Sequence, residues 1–353
     1  MILKTISLEH LRNHTKKTFA FDKTTIIIGH NTAGKTNILE AIYLLSHGTS
    51  FRAARDADVI QEKYNFTRVE GKIIDASDEE SVVLTTVFAV KAPNAGYLSK
   101  KYLVNGVART LRTFSDYFYT VLFTPQDIEI ITDTPGARRR YIDSILTKSH
   151  KQYRAALSRY EKALRQRNRM LHDIKVGKKD YKRQDFEFWE KLLIEHAEVI
   201  HNFRKAFVEY VNKAKKDVFQ FEMVYDHSVL SAERLFKYHF EELSAGITLV
   251  GPQRDDFQFL FPKTKQAIKE FGSRGEERLT ILQLKLIEIE YLKQSTGELP
   301  VLLLDDIFSE LDSENIDMIY KFIENQQTII TTTHREFVPK KILKQKGLKI
   351  IEL

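Results

Sequence analysis

The sequence of 353 residues contains no cysteine, and tryptophan occurs only once. The absence of cysteine excludes disulfide bonds, thiol catalysis and cysteine-based metal sites. Apolar runs are short, since none approaches the ~20 residues that a membrane-spanning helix needs. The first residues alternate in polarity like a β-strand and lack the apolar block of a signal peptide. We therefore expect a cytoplasmic protein without a membrane partner.

The net charge is a modest +7, but it is unevenly distributed along the chain. Residues 138–216 contain 22 Lys and Arg against 10 Asp and Glu, a net charge of +12, which leaves −5 for the rest. A basic segment on a mildly acidic body indicates a polyanionic partner, and nucleic acid is the most common one. The alternative is a solvated helical face rich in lysine, which needs no partner.

The strongest local pattern is the octapeptide at residues 29–36, GHNTAGKT. It follows an apolar run at 24–28 and precedes a helix-like stretch at 37–45, which is the order strand, glycine loop, helix of a P-loop. In such a loop backbone N–H groups surround phosphate oxygens, Lys35 reaches the β- and γ-phosphates, and the Thr36 hydroxyl can bind Mg²⁺. Candidate ATP ligands here are Asn31, Ala33, Gly34, Lys35, Thr36 and Asn37.

A second pattern, VLLLDD at residues 301–306, is typical of a Walker B motif. Asp305 ends an apolar strand and is expected to hold Mg²⁺ together with Thr36, directly or through water. Asp306 follows it and can polarise the attacking water. Apolar strands that end in aspartate are common, so this pattern alone is weak. It becomes specific in combination with the P-loop and with the motifs described next.

The remaining periodicity predicts an α/β fold with a mixed sheet, an attached antiparallel meander and a helical second lobe. β-type runs around an Asn105-Gly106 turn predict the meander over residues 67–112. Two helical stretches at 138–176 and 185–217 predict a helical hairpin. The expected domains are residues 1–137 as the N-terminal half of the nucleotide-binding head, 138–245 as a basic helical lobe, and 246–353 as the C-terminal half of the head.

Four further motifs follow the order found in ABC-type ATPases. Residues 273–276, SRGE, precede a helix and resemble the signature motif. Residues 309–312, SELD, resemble the D-loop after the Walker B motif. His334 follows the next strand, where a switch histidine lies, and Gln126 stands where a Q-loop glutamine lies. Around a modest helical insert, this set resembles the SMC-type branch of the ABC ATPases.

Nearly the whole chain resembles, more closely, the RecF family of bacterial recombination mediators. The stretches that carry this resemblance are LRN at 11–13, NILEAIY at 37–43, SHGTSFR at 46–52, TPQD at 124–127, GPQRDD at 251–256, LKLIE at 284–288 and LDDIFSELD at 304–312. Several of them have no counterpart in ABC ATPases generally. The resemblance implies a P-loop NTPase fold of the ABC/SMC-head type, with ATP and Mg²⁺ as cofactors.

The resemblance also implies an ATP site split between two facing subunits of a homodimer. The implied catalytic residues are Lys35, Gln126, Asp306 and His334, and the implied metal ligands are Thr36, Gln126 and Asp305. The facing subunit would present Ser273 and Gly275 to the γ-phosphate, with a helix N-terminus behind them. Arg12 follows the first strand, where related heads place a basic residue beside the nucleotide.

The signature segment departs from the family pattern. The family usually has glutamine after the signature glycine, whereas here Glu276 and Glu277 stand there. Two carboxylates near a triphosphate would repel it unless they are paired, and Arg274 and Arg278 are the expected partners. The departure affects the strength of ATP-driven closure more than its geometry.

The function implied by the resemblance is that of an ATP-driven dimer that clamps gapped or junction DNA, with slow DNA-dependent ATP hydrolysis. With RecR, and with RecO as a further candidate partner, it would promote RecA loading onto single strands in the nucleoid. Residue chemistry alone supports only an ATP-dependent dimeric clamp with a polyanionic partner. One alternative is an ATP-switched DNA-binding protein with negligible hydrolysis. Another is a transporter-type ABC subunit, which nothing in the sequence favours.

The DNA contacts, whether to single-stranded, double-stranded or junction DNA, are expected in the basic segment. The candidates are Arg138, Arg139, Arg140, Arg154, Arg165, Arg167 and Arg169. Such contacts would go to phosphates, depend on salt, and read DNA structure more than sequence. For each single arginine, a solvated side chain without a DNA contact is the alternative.

Overall fold

The computed structural model describes residues 1–74, 80–90, 98–309, 320, 322–345 and 347–353. The chain forms two compact units: unit 1 comprises residues 1–127 and 289–353, and unit 2 comprises residues 128–288. These divisions differ from the boundaries near 138 and 246 that the sequence predicts. The D-loop residues 310–312 lie outside the described residues.

Strands dominate unit 1, whereas helices dominate unit 2. The described strands are β1 Ile2–Leu11, β2 His14–Ala20, β3 Thr24–Ile28, β4 Phe66–Ile74, β5 Ser81–Val90, β6 Leu98–Val104, β7 Val107–Arg109, β8 Thr120–Phe123, β9 Glu222–Asp226, β10 Asp256–Leu260, β11 Val301–Asp305, β12 Thr328–Thr332 and β13 Leu348–Glu352. The described α-helices are α1 Lys35–His47, α2 Leu111–Phe114, α3 Glu129–Thr132, α4 Pro135–Ser149, α5 Lys151–Lys175, α6 Arg183–Lys213, α7 Ala232–Lys237, α8 His239–Ala245, α9 Ile268–Phe271, α10 Arg274–Thr296 and α11 Lys340–Leu343. Within the described ranges, no helix is long and apolar enough to cross a membrane.

A parallel sheet in unit 1 carries the P-loop and Walker B segments. Its strand order is β13-β3-β12-β11-β8, and every neighbouring pair is parallel. Strands β11 and β12 are buried at every position, which explains their uninterrupted apolar or threonine-containing sequences. Because parallel strands end at the same edge of a sheet, the loops that follow β3, β8, β11 and β12 open at one edge.

The predicted meander forms part of a second, antiparallel sheet, with strand order β2-β1-β4-β5-β6-β7. Its last turn is formed by Asn105 and Gly106, whose φ angles of 49° and 77° are both positive, as the tightest hairpin turns require. The meander itself is confirmed, but it is not attached to the parallel sheet. It pairs instead with β1, and β1 pairs with β2.

Helix α1 packs against both sheets and joins their hydrophobic cores. Ile38, Leu39 and Ile42 are fully buried, and they belong to one cluster with Ile6 of the antiparallel sheet and with Ile27 of β3. The helix therefore begins at the P-loop and is held along its length by apolar burial, which at about 25 cal/mol per Å² is the main favourable term for such an element. The start of α1 is fixed relative to both sheets.

Unit 2 contains the predicted helical hairpin, formed by α5 and α6, with loop residues 176–182 between them. The predicted stretch 138–176 is divided into α4 and α5, because His150 has an extended conformation (φ −131°, ψ 112°) between the two helices. The predicted hairpin is thus confirmed, with an additional helix before it. Strands β9 and β10 form an antiparallel pair in the same unit.

Asp255 and Asp256 tie the segment after residue 246 to the helices of unit 2. Asp255 is 1% exposed and accepts hydrogen bonds from Arg204 Nη1 at 2.7 Å and from the Tyr225 hydroxyl at 2.5 Å. Asp256 Oδ1 accepts from Arg138 Nε at 2.7 Å. These ion pairs, together with the β9–β10 pairing, explain why residues 246–288 belong to unit 2.

A second buried ion-pair cluster fixes the helical hairpin. Arg167 of α5 is 1% exposed, and its Nη2 lies 2.6 Å from Glu242 Oε2 and 3.2 Å from Glu190 Oε1. Its Nη1 donates to the Thr248 hydroxyl at 2.8 Å. The sequence predicts Arg167 and Arg138 as DNA contacts, and this prediction is wrong, because both guanidinium groups are buried and bound to carboxylates of the same unit.

Replacing Arg167 by alanine is expected to lower the free energy of unfolding of unit 2 by about 3–5 kcal/mol, because the buried Glu242 carboxylate loses its cation, whereas Glu190 keeps its ion pair with Arg183 at 2.8 Å. The sole tryptophan, Trp189, precedes Glu190 on α6, so its fluorescence during urea unfolding reports on this unit. Arg165→Ala is the matched control, since Arg165 lies two residues away with 69% of its side chain exposed. It should change the stability by less than about 0.5 kcal/mol. Equal losses in the two variants would contradict the structural role of Arg167.

Candidate nucleotide-binding site

The P-loop runs from the end of β3 to the first turn of α1. Gly34 has φ 101°, and a Cβ atom there would lie 2.7 Å from both Asn13 Oδ1 and His14 Nε2. Glycine is therefore required for two reasons: the positive φ and the close approach of these two side chains. Asn13 Nδ2 donates to Thr32 O at 3.2 Å, and His14 Nε2 lies 3.2 Å from Gly34 O. The turn between β1 and β2 thus supports the loop from one side.

The ammonium group of Lys35 lies within the loop. Its Nζ donates to Gly29 O at 2.6 Å and to His30 O at 3.1 Å, and the residue is only 7% exposed. A buried ammonium group needs oxygen partners, and here these partners are loop carbonyl oxygens. Phosphate oxygens attract the ammonium group more strongly than neutral carbonyl oxygens do, because they carry negative charge. The sequence prediction of Lys35 as a phosphate ligand fits this position.

Thr36 and Asp305, separated by 269 residues in the sequence, are in direct contact. The Thr36 hydroxyl lies 3.1 Å from each carboxylate oxygen of Asp305. The Thr331 hydroxyl of β12 donates to Asp305 Oδ1 at 2.6 Å. Two of the three predicted metal ligands are therefore in contact, and Thr331 supports them, although the sequence analysis gave Thr331 no role.

The Asp305 carboxyl is buried, and burial raises its pKa above the ordinary value. The nearby charge of Asp306 adds to the rise, whereas the hydroxyl groups of Thr331 and Thr36 lower the pKa. A carboxylate and a hydroxyl oxygen are hard donors of the kind that Mg²⁺ prefers, and Mg²⁺ usually takes its remaining ligands from phosphates and water. The donor set therefore fits Mg²⁺ bound together with a nucleotide. In the described part of the chain there is no cluster of three or more His, Asp or Glu that could hold a metal alone.

Asp306 has an unusual backbone conformation for a non-glycine residue, with φ 50°. Its N–H donates to the Thr331 hydroxyl at 3.1 Å, so the same threonine holds both aspartates of the Walker B pair. Residues in the left-handed region persist when the surrounding structure fixes them, and they often occur at functional sites. Asparagine tolerates this region as well, which makes Asp306→Asn a conservative variant in backbone terms.

Gln126 and His334 both follow strands of the parallel sheet, at the edge where the P-loop lies. Gln126 is exposed in a short 3-10 turn, Pro125–Ile128, directly after β8. His334 is exposed two residues after β12, and its ring centroid lies 6.5 Å from that of His30 in the P-loop. The sheet topology places both segments at the edge where β3 leads into the P-loop, and the ring contact with His30 brings His334 close to the loop. Their contacts to a nucleotide remain predictions.

A fully buried carboxylate, Glu40 on α1, holds two arginines next to the P-loop. Arg12 donates from Nε to Glu40 Oε2 at 2.9 Å and from Nη2 to Oε1 at 2.7 Å. Arg52 donates from Nη2 to Oε2 at 3.0 Å, and the Ser50 hydroxyl donates to Oε1 at 2.5 Å. Arg12 is the predicted ATP-site arginine, and its pKa is raised chiefly by the hydrogen bond to Glu40.

Glu40, Ser50 and Arg52 are site residues to which the sequence reading gave no role. The signal was available, because Glu40 is the single charged residue within the apolar part of α1 that contains Ile38, Leu39, Ala41 and Ile42. Burial raises the pKa of Glu40, but the hydrogen bonds from Arg12, Arg52 and Ser50 outweigh it, so the pKa is lower than its ordinary value.

Asn37, on the first turn of α1, joins Arg52 to Asn13, which supports the P-loop. Its Nδ2 donates to Asn13 Oδ1 at 2.6 Å, and its Oδ1 accepts a hydrogen bond from Arg52. The predicted loop residues Asn31 and Ala33 lie on the exposed and half-buried parts of the loop, and Ala33 N–H donates to His30 O at 3.1 Å. Asn37 thus has a structural role in holding Asn13, whatever its role toward ATP.

The signature residues Ser273 and Gly275 lie in unit 2, at the start of α10, and both are exposed. A Cβ atom on Gly275 would have only Ser273 Oγ within 4 Å, at 3.9 Å, so the surface here is open. Ser273 and Glu276 bind each other: the Ser273 N–H and hydroxyl lie 2.8 and 2.9 Å from Glu276 Oε2. This contact was not expected from the sequence.

The remaining predicted DNA contacts lie on or near α5 and differ in exposure. Arg140, Arg165 and Arg169 are exposed, whereas Arg139 and Arg154 are half-buried. Arg139 Nη1 donates to Asp255 O at 2.6 Å. Arg159 and Lys162, which the sequence reading did not select, are exposed on α5 with Arg165 and Arg169 at helical spacing.

Glu40→Gln is expected to lower the free energy of unfolding by about 2–3 kcal/mol at pH 7, less than for a fully buried pair because both arginines are partly exposed. The folded-state pKa of Glu40 is lowered, so its contribution is complete above the unfolded pKa of about 4.3 and is lost as the pH falls through the folded pKa. Urea unfolding, monitored by circular dichroism at several pH values, measures the free energy of unfolding of both proteins. The difference in this free energy between wild type and variant should become smaller as the pH falls. Glu62→Gln, at an exposed position, is the control. A difference that is constant with pH would contradict the ion-pair assignment.

The chain is similar to known proteins over nearly its whole length. Residues 2–351 match the family described as the RecF/RecN/SMC N terminal domain. The DNA replication and repair protein RecF of Bacillus thuringiensis (strain Al Hakam) is 31% identical over 368 aligned positions, which cover 98% of this chain and 95% of that protein. RecF of Bacillus anthracis (strain CDC 684 / NRRL 3495) is similar to the same extent.

Solved structures show the same relationship. The structure of the recombination mediator protein RecF with ATP, in the RecFOR pathway, superposes with a TM-score of 0.87 at 31% identity, over 96% of this chain and 93% of that chain. The corresponding RecF structure with ATPγS has the same TM-score at 30% identity, over 100% and 96%. The Smc head domain of Pyrococcus yayanosii, with a TM-score of 0.51 and 16% identity, shares the fold. With a P-loop NTPase fold of the ABC/SMC-head type and these relatives, the chain belongs to the RecF family.

Proposed function

We propose that this protein is an ATP-dependent, DNA-binding recombination mediator of the RecF type. The observation that carries the proposal is the contact of Thr36 with Asp305, 3.1 Å to each carboxylate oxygen, at the sheet edge where Lys35 lies inside the P-loop. This arrangement of an ammonium group, a hydroxyl and a carboxylate suits a nucleoside triphosphate with Mg²⁺. The RecF structures determined with ATP and ATPγS support the same ligand.

The site residues of unit 1 have distinct roles in the proposed site. Lys35 exchanges its carbonyl partners for the β- and γ-phosphate oxygens, and the N–H groups at the start of α1 bind the same anion. Thr36 and Asp305 would hold Mg²⁺, which supplies positive charge to the phosphates when bound. Arg12, oriented by Glu40, adds a cation beside the nucleotide. In this reading Gln126 contacts the metal or the attacking water.

Hydrolysis is proposed to depend on Asp306 and His334. Asp306 follows the metal-binding aspartate and can accept a hydrogen bond from the attacking water, which orients that water for attack. His334 lies beside His30 of the P-loop, and this position supports the proposal that it donates a hydrogen bond to the γ-phosphate. The proposed ATPase is weak. In this proposal, Asp306→Asn would still dimerise with ATP but would hydrolyse it more slowly than wild type.

The proposed ATP site is completed by a second copy of the chain. Ser273 and Gly275 are exposed at the N-terminal end of the 23-residue helix α10, where backbone N–H groups and the helix dipole favour an anion. We propose that they bind the γ-phosphate held by the facing subunit. ATP would thus connect two subunits, and hydrolysis would release them. The proposed domains of the head, 1–137 and 246–353, together supply these elements.

DNA is proposed to bind along the exposed basic side of α5. Arg159, Lys162, Arg165 and Arg169 are exposed there, whereas the buried Arg138 and Arg167 are excluded as contacts. Such a row of cations binds phosphates without reading sequence, as expected for a protein that recognises gapped or junction DNA. In the same proposal RecR, with RecO, acts with the DNA-bound dimer in RecA loading, and the protein works in the cytoplasm at the nucleoid.

The composite site predicts that ATP and Mg²⁺ convert the wild-type protein from monomer to dimer in sedimentation velocity experiments. Lys35→Met removes the phosphate-binding cation, and Ser273→Arg blocks the surface that meets the facing subunit. Both variants should remain monomeric with ATP, but only Lys35→Met should lose ATP binding itself, because Ser273 acts in the partner's site. A wild-type dimer that persists in both variants would show a constitutive interface and contradict the proposal.

The DNA-binding surface predicts a salt-dependent effect of the double variant Arg165→Ala/Arg169→Ala. If both side chains contact phosphates of a duplex, the slope of log affinity against log salt should become less steep by about 1.8, since each contact contributes about 0.9. Fluorescence anisotropy with labelled gapped DNA, over about 50–200 mM salt, measures this slope.

The control for that experiment is Lys16→Ala/Lys17→Ala, which removes two exposed charges from β2 in unit 1. It lowers the net charge by the same amount and should leave the slope unchanged. Equal changes in the two double variants would mean that net charge, rather than the α5 surface, determines binding.

A further inference from the structure

The signature serine is engaged in a capping box at the start of α10. Both the N–H and the hydroxyl of Ser273 lie within hydrogen-bond distance of Glu276 Oε2, at 2.8 and 2.9 Å. The Glu276 N–H donates in turn to Ser273 Oγ at 3.3 Å. The pKa of Glu276 is lowered by the hydrogen bonds from Ser273, chiefly that of its backbone N–H, so the carboxylate is ionised at neutral pH.

This contact uses the donors that the proposed composite site requires. A serine hydroxyl has one hydrogen to donate, so Ser273 cannot donate to Glu276 and to a phosphate at the same time. The Ser273 N–H also points to Glu276. The carboxylate therefore takes the place that an anionic ligand of this helix N-terminus would take, since carboxylates and phosphates are both favoured there.

We propose that Glu276 is an intramolecular competitor of the γ-phosphate for Ser273, and that it sets the strength of the ATP-driven dimer in this protein. This inference rests on the proposed function, because it assumes that Ser273 meets ATP bound by a second copy. Dimer formation then requires the Glu276 carboxylate to release Ser273 and to remain close to the negatively charged phosphate.

A purely structural reading assigns Glu276 only to stabilising the helix. A capping box of this kind does stabilise a helix start, and glutamine at the same position performs that role equally well. Glu276→Gln therefore preserves the cap and removes the charge. Arg274 and Arg278 are unchanged in the variant, so a comparison with wild type isolates the charge of Glu276.

The size of the effect can be estimated from the repulsion of two unit charges about 5 Å apart, which even at the dielectric constant of water corresponds to roughly fourfold in an equilibrium constant. A symmetric dimer contains two such sites, so the dissociation constant of the Glu276→Gln dimer should be lower by about tenfold or more. The difference should shrink as salt is added, because surface charges are screened. A difference in helix capping would not depend on salt in this way.

The test is sedimentation velocity over a concentration series with Mg²⁺ and ATPγS, so that differences in hydrolysis do not enter, at low and high salt. The matched control is Glu233→Gln, which removes an exposed glutamate from the first turn of α7, another helix of unit 2 capped by a serine, Ser231. Thermal unfolding of both variants should match wild type. Glu276→Gln should dimerise more tightly than wild type at low salt, and Glu233→Gln should not.

The outcomes separate this inference from the proposed function. If Ser273→Arg abolishes the ATPγS-dependent dimer but Glu276→Gln dimerises no more tightly than wild type, the composite site stands and the competition is overturned. If Glu276→Gln dimerises more tightly than wild type by the same factor at low and at high salt, the charge mechanism is also overturned. If neither wild type nor Glu276→Gln dimerises with ATPγS, both the composite site and the competition are wrong. A monomeric wild type with a dimeric Glu276→Gln would support both.

Discussion

The contact between the Thr36 hydroxyl and the Asp305 carboxylate is the interaction on which the proposed site depends. It joins the first turn of α1 to the end of β11, two elements that are separated by most of the chain. The contact exists because β3 and β11 run parallel on either side of β12 and therefore end at the same edge. Thr331 of β12 completes it by binding Asp305. Three consecutive strands of one sheet thus bring together the pair proposed to bind Mg²⁺, although no single local segment contains both residues.

Buried carboxylates organise the arginines of this basic protein. Glu40 holds Arg12 and Arg52 in unit 1, while Glu242 and Asp255 hold Arg167 and Arg204 in unit 2. Removing a charge from water is costly unless a partner compensates it, so each buried guanidinium comes with its own carboxylate. These four arginines therefore have internal roles. Only the exposed remainder, such as Arg165 and Arg169, is available for a polyanion.

Two glutamates, Glu40 and Glu276, have opposite consequences for a bound phosphate. Glu40 is enclosed and neutralised by two arginines, so it orients cations toward the P-loop. Glu276 is ionised at the surface and occupies the donors of Ser273. In the proposed mechanism, the first arrangement favours nucleotide binding within one subunit, whereas the second opposes the proposed joining of two subunits by ATP.

Local sequence determined much of this protein by itself. The glycine spacing of the P-loop, the apolar strand before Asp305, the Asn105-Gly106 turn and the helical hairpin could all be read directly, because each depends on the conformational preferences of neighbouring residues. The family followed from short motifs. Tertiary structure alone decided which of two nearby arginines, Arg165 or Arg167, faces solvent, that the meander pairs with β1 in its own sheet, and that Glu40 joins Arg12 to Arg52. The physical reason is that burial and ion pairing depend on residues brought together from distant parts of the chain, and no local pattern records those partners.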